Sequence, residues 1–304
     1  MKNDESSSSN VLVTMCGILG TMMAMVIGLM CVQERSSGGG RFFPCPKMEP
    51  SKFAYEQFCA YYSIVWMSAF AGIVIFQWYE SWTEAWMYNV VLGALAVPLV
   101  IQPFFFETHR PLHQRYATKA LIWMTTYTFI GNYWYTHYFY SVLKASYSMP
   151  STRLNDVPIA MYFATLFYFS SYHVFSNSLL RYVQTSYQPT TLRTILFLSL
   201  IAFLSYMTAF MESFTISSFP YWSFEDIDMA YTIGSAFYGI YFIVSFPAFY
   251  FFDTHIDNPD ANANTVTLWD SFISSCGHGM IILCLLDFVR LNLNIPLTIG
   301  TPSS

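Results

Sequence analysis

Charge is scarce in this 304-residue chain: Asp, Glu, Lys and Arg make up 10% of it, where soluble domains carry roughly a quarter. With 55% hydrophobic and 20% aromatic residues, that scarcity excludes an ordinary soluble domain and implies a multi-pass membrane protein. Lys and Arg form no cluster, so there is no basic patch to meet a phosphate backbone and no nucleic-acid partner is expected. Of the six cysteines, only Cys45 lies in a polar loop, while Cys16, Cys31, Cys59, Cys276 and Cys284 fall in apolar runs. Neither a disulfide framework nor a zinc site is implied by such spacing. Walker, Rossmann and G-x-S-x-G motifs are missing. So is an inverted repeat with broken helices, which counts against a secondary transporter.

What remains is a series of apolar runs of about the 20 residues that a bilayer requires. They lie at Val11–Val32, Phe58–Trp78, Trp86–Phe106, Ala120–Leu143, Ile159–Leu180, Thr194–Phe219, Tyr231–Phe252 and Leu268–Leu291. The expected fold is all-α and polytopic, with eight transmembrane helices. The first run follows an acidic, serine-rich start without a basic n-region and reads as a span rather than a signal peptide. Gln33–Gln57, with its Gly-Gly-Gly run and three prolines, reads as a flexible linker. The expected organisation is therefore an N-terminal extension (1–32), a linker (33–57), a seven-helix membrane domain (58–291) and a tail (292–304). Arg35, Arg41, Lys47, Lys52, Arg110, Arg115, Lys119, Arg181 and Arg193 fall on one side of the membrane, with Lys2, Lys144, Arg153 and Arg290 on the other. The richer side is expected to be cytosolic, with both termini opposite.

Four ionisable residues fall inside the spans, where such groups are costly and mark functional sites by default. His137 lies in the unusual stretch Gly131–Pro150, which also holds five tyrosines; His173, Glu212 and Asp287 lie in the fifth, sixth and eighth spans. Spans four, six and eight run in parallel, and helix rise puts His137, Glu212 and Asp287 in one layer roughly 6 to 11 Å below the same face. His173 sits deeper. Helical spacing groups Tyr133, His137 and Tyr140 on one face, Phe169, His173 and Asn177 on a second, and Ser205, Thr208, Glu212 and Thr215 on a third. Asp287 has Arg290 one turn away as an ion-pair partner. The histidines read equally as hydrogen-bonded packing residues or as site residues. Glu212 has no sequence-local cation, and an unpaired carboxyl in apolar surroundings is expected to stay protonated and to serve as an acid. Aromatic stripes such as Tyr133, Tyr135, Tyr138 and Tyr172 are more often packing, yet π faces also stabilise positive charge. A protonated carboxyl, a neutral imidazole and aromatic walls suit acid-initiated carbocation chemistry on an apolar substrate in an intramembrane pocket.

These residues stand in strings that resemble the cycloeucalenol cycloisomerase family of cyclopropyl sterol isomerases: GNYWYTHYFY (131–140), ASYSMP (145–150), NDVP (155–158), YHVFSN (172–177), FPYW (219–222), FYGIYFIVSFP (237–247) and LDFVRL (286–291). The resemblance runs from about Lys52 to Leu291, so that the first span and its linker look like an addition. It implies an isomerase of sterol biosynthesis in the endoplasmic reticulum membrane, which opens the 9β,19-cyclopropane of cycloeucalenol to give the Δ8 sterol obtusifoliol. One proton is delivered to carbon 19 and another leaves carbon 8, so no cofactor is implied; the partners are the sterol and membrane lipid. Glu212 is the expected acid and His137 or His173 the base, or the reverse. Tyr133 and Tyr172 would stabilise the cation, and Asn132, Asn177 and Asp287 would contact the substrate, Asn132 and Asn177 reading equally as interhelical hydrogen bonds. A sterol carrier and a proton-coupled transporter are the alternatives.

Overall fold

Inside lipid a helix satisfies its own backbone hydrogen bonds, and the apolar runs fold accordingly. The computed structural model describes residues 2–135, 145–217, 219–257 and 266–293. Its long helices are α1 (Lys2–Cys31), α2 (Pro50–Ile75), α3 (Ala85–Phe105), α4 (Tyr116–Ile130), α5 (Ile159–Ser186), α6 (Thr191–Ile216), α7 (Ile227–Tyr250) and α8 (Leu268–Leu293). Among the described residues, paired strands form two short ribbons: β1 (Ala145–Tyr147) with β4 (Trp222–Phe224), and β2 (Arg153–Leu154) with β3 (Val157–Pro158). The chain is an all-α polytopic membrane protein.

Six of these helices, α1, α2, α3, α6, α7 and α8, are long and apolar enough to cross a membrane. The expected count of eight is thus met only as far as six. The described part of α4 has 15 residues, and α5, though 28 residues long, carries Ser, Tyr, His173, Asn177 and Arg181 along its length. Position explains the composition of α5. It packs against α2, α3, α4, α6 and α7 at once, so its polar groups are turned to neighbours rather than to lipid. Ser171, for example, accepts from Trp66 Nε1 at 2.9 Å and lies 2.6 Å from the Ser63 hydroxyl, tying α5 to α2.

One end of the bundle is held by ions. The helix α2 starts at Pro50 rather than Phe58, and α5 runs on to Ser186 rather than stopping at Leu180. Charged residues that hydropathy places in linkers are therefore helical and buried. Arg181 Nη1 and Nη2 each donate to Glu56 at 2.7 Å as a two-pronged pair, and Glu56 is 0% exposed. Lys119 Nζ meets Asp253 Oδ2 at 2.8 Å. The segment after α1 runs beside the end of α5, where Ser36 N donates to Ser186 O (2.7 Å) and Arg41 N to Thr185 Oγ1 (2.9 Å).

At the same end the start of α2 is capped from a distance. Pro at the first helical position gives up no needed donor, while the Ser51 N–H donates to Asp257 Oδ2 (3.0 Å) and the Ser51 hydroxyl to Asp257 Oδ1 (2.6 Å). Losing a side-chain cap costs about 0.5 to 2 kcal/mol. Asp257→Ala is accordingly expected to lower the thermal unfolding midpoint measurably, and Asp257→Asn, which keeps an acceptor, to lower it less. Equal midpoints for the wild type and the alanine variant would remove the cap from the stability account.

The opposite end is built from irregular backbone. Asn155 and Asp156 both have positive φ (52° and 62°), as the two-residue turn between twisted strands requires, and the NDVP string is this turn and the strand after it. Asn155 Nδ2 donates to the Tyr133 carbonyl, and Arg153 Nη2 donates to Tyr147 O at 2.6 Å, so both ribbons are anchored to each other and to the end of α4. Two π-helical turns lie at this end, Gly131–Tyr135 after α4 and Ala230–Gly234 within α7. Helix α1 packs on α6 and on the second of these, with Met15 buried between Phe210 and Tyr231.

Candidate active site

Where the irregular backbone gathers, the helices diverge around a cavity of about 230 Å³. Its walls follow from which side chains each element presents. Tyr79, Trp82 and Tyr88 come from the α2–α3 connection and the start of α3; Tyr168 and Phe169 from α5; Tyr238 and Tyr241 from α7. The β1–β4 ribbon covers the top with Tyr147 and Trp222, whose rings meet edge to face at 4.2 Å, and with Phe224. Ser146 and Ser223 bond to each other (2.8 Å) on the ribbon's exposed side, which leaves the aromatic side turned inward. Asn132, in the π turn after α4, is buried on the wall and donates to Thr165 Oγ1 (2.6 Å) and Thr128 O (2.9 Å).

Glu212 is the one carboxyl among the described residues that line this cavity. It projects from the last turn but one of α6. The Tyr238 hydroxyl donates to its Oε2 at 2.8 Å, and the Tyr172 phenol is its second hydrogen-bonding neighbour. Among the described residues no Lys or Arg forms an ion pair with it. Burying an ionised carboxylate without a counter-cation is costly. Once the proton leaves, two phenols are placed to stabilise the carboxylate through charge-assisted hydrogen bonds. The surrounding rings offer negative π faces to a cation. The arrangement can therefore give up a proton to an apolar ligand and hold the positive charge that results. Among the described residues no group of three His, Cys, Asp or Glu could hold a metal ion.

The other residues singled out by sequence are dispersed. Tyr172 touches Glu212 but is not part of the cavity wall. His173 is fully buried behind that wall, with Nδ1 2.8 Å from Phe169 O and Nε2 2.9 Å from Ser245 Oγ. A carbonyl only accepts, so Nδ1 carries the proton and Nε2 accepts from Ser245. Tyr127 and Phe169, which do line the cavity, stand against this imidazole with ring centroids 5.7 and 6.3 Å away. Asn177 belongs to the ionic end, where its Nδ2 donates to Glu56 Oε1 at 3.0 Å. Tyr133 stacks on Phe129 at 5.8 Å, away from the wall. Asp287 is half-buried on α8, likewise off the wall. His137 lies outside the described residues. Tyr238 is the partner that sequence reasoning passed over: it stands in the FYGIYFIVSFP string among other aromatics, 26 residues from Glu212, and no local spacing links the two.

No protein-family model matches the chain, and neither does any solved structure. A curated protein of Arabidopsis thaliana, cycloeucalenol cycloisomerase, is 36% identical to it over 260 residues, covering 83% of this chain and 90% of the relative. Identity of that extent over most of both chains places the chain in the cycloeucalenol cycloisomerase family.

Proposed function

We propose that the chain opens the 9β,19-cyclopropane ring of cycloeucalenol-type sterols to give a Δ8 sterol, within the endoplasmic reticulum membrane. The observation that carries the reading is the Glu212 carboxyl, held by Tyr238 and Tyr172 at the wall of an otherwise aromatic cavity in a relative of a cycloeucalenol cycloisomerase. Protonated Glu212 donates to carbon 19. The bond from carbon 9 to carbon 19 breaks, carbon 19 becomes a methyl group, and carbon 9 is left positive. Loss of the proton on carbon 8 then forms the double bond between carbons 8 and 9. One proton enters and one leaves, with no change in oxidation state.

In this scheme Tyr238 and Tyr172 stabilise the Glu212 carboxylate between the two proton steps, while the rings of Tyr168, Trp82 and Trp222 face the cation. Asn132 is the wall residue suited to the sterol hydroxyl. His137 is the proposed base. His173, with both ring nitrogens engaged, acts by holding Tyr127 and Phe169 in the wall. The test is incubation of the purified protein with a cyclopropyl sterol in deuterated water. The expected product is the ring-opened Δ8 sterol with one deuterium in the methyl group derived from carbon 19. Recovery of unchanged sterol, or product without that deuterium, overturns the reading.

A further inference from the structure

The cavity is closed unevenly. Its wall residues on α3 and α7, among them Tyr88, Leu92, Tyr238 and Tyr241, are buried, whereas Val74 near the end of α2 is 38% exposed and Thr215 near the end of α6 is also exposed. Both α2 and α6 pack closely on α5, but they make little or no contact with each other. The exposed wall residues thus mark a gap between the C-terminal ends of these two helices, and Glu212 lies one turn inside it.

Two observations say what this gap opens onto. Beyond the rim the side chains are apolar and uncovered: Ile75 and Phe76 on one side are 73% and 67% exposed, and Met211 and Phe214 on the other are exposed as well. Large apolar groups left outward on helices long enough to cross a bilayer face lipid. Toward the membrane surface the gap is shut. The Tyr79 ring packs on Phe219 at 5.0 Å and on Tyr221 at 5.7 Å, which joins the α2–α3 connection to the segment leading into β4. The opening therefore points sideways into hydrocarbon and not upward into water.

We infer that the gap between the ends of α2 and α6, with Val74 and Thr215 as its rim, is a lateral doorway through which the sterol passes between the bilayer and the cavity. The inference rests on the sterol reading of the cavity given above. A rigid apolar ring system dissolved in the bilayer meets the cavity along this route without crossing water, and it arrives with Glu212 beside its path.

The doorway is tested by narrowing and widening the rim. The protein in nanodiscs is mixed with vesicles carrying a cyclopropyl sterol. Uptake is followed through the fluorescence of Trp82 and Trp222, which line the cavity, and product by chromatography. Val74→Phe and Thr215→Phe are expected to slow both uptake and release about tenfold or more with little change in final occupancy, since a barrier on the path alters rates in both directions. Val74→Ala and Thr215→Ala should speed uptake. Val97→Phe, on the lipid-exposed side of α3, is the control and should leave the rates as they are. Wild-type rates in all four rim variants overturn the doorway. Rim-dependent uptake without ring-opened product upholds the doorway and overturns the isomerase reading instead.

Discussion

Glu212→Gln is expected to lower turnover of a cyclopropyl sterol by about 10²- to 10⁴-fold, the usual contribution of a general acid. The substitution preserves the shape of the side chain and its ability to accept from Tyr238, whose hydroxyl donates to Oε2 at 2.8 Å, so packing at the end of α6 should persist. What is lost is the transferable proton. Sterol uptake, read by tryptophan fluorescence, should stay near the wild-type level while kcat falls. Turnover within a factor of a few of wild type would remove Glu212 from the proton step. A fall in uptake equal to the fall in turnover would make it a binding residue and not the acid.

The second large effect is at the opposite end. Arg181→Ala is expected to cost about 3 to 5 kcal/mol of stability, because it leaves the Glu56 carboxylate buried without its partner. Two 2.7 Å hydrogen bonds to Glu56 and one of 3.0 Å to the Phe42 carbonyl vanish together. A large drop in the thermal midpoint is the readout. Replacing both residues, Glu56→Met with Arg181→Met, should recover most of the loss, since an apolar pair of similar volume has no stranded charge. If the double variant were no more stable than the single one, the cost would belong to packing around the guanidinium and not to the unpaired carboxylate. At temperatures where the variants remain folded, sterol turnover should survive, because the pair lies at the far end of α5 from the cavity.

How much of this was legible beforehand varies with the kind of signal. Glu212 stood out because one carboxyl in a long apolar run is expensive, and the structure places it on the cavity wall. His173 was legible as buried, but its engagement with Ser245, 72 residues away, depends on how α5 meets α7, which no periodicity encodes. The Glu56–Arg181 pair was hidden by the hydropathy reading itself. That reading ends a span where apolar residues end, whereas α2 and α5 continue into their charged flanks and bury them against each other. At α5 the same reading gives one more span with a polar face, whereas its polar composition answers to five helical neighbours. The ribbons over the cavity were not foreseen as strands, since pairings of two or three residues leave no alternation to detect. The NDVP string did carry one readable cue, because Asn and Asp in succession tolerate the left-handed turn they occupy.

The π turn at Ala230–Gly234 sets the rotational phase of α7. In an unbroken α-helix, residues seven apart such as Tyr231 and Tyr238 stack on one side. Here they serve two clients. Tyr231 turns to Phe210 and Met15 and reaches Ser217 Oγ at 2.6 Å, while Tyr238 turns to Glu212. The extra residue in a π turn offsets everything after it by about 100°, one residue's worth of helical rotation. A one-residue deletion within 232–234 would therefore leave every side chain of both groups in the chain and still force a choice between them: either the tyrosine that grips α1 or the tyrosine that grips the acid would swing out of reach.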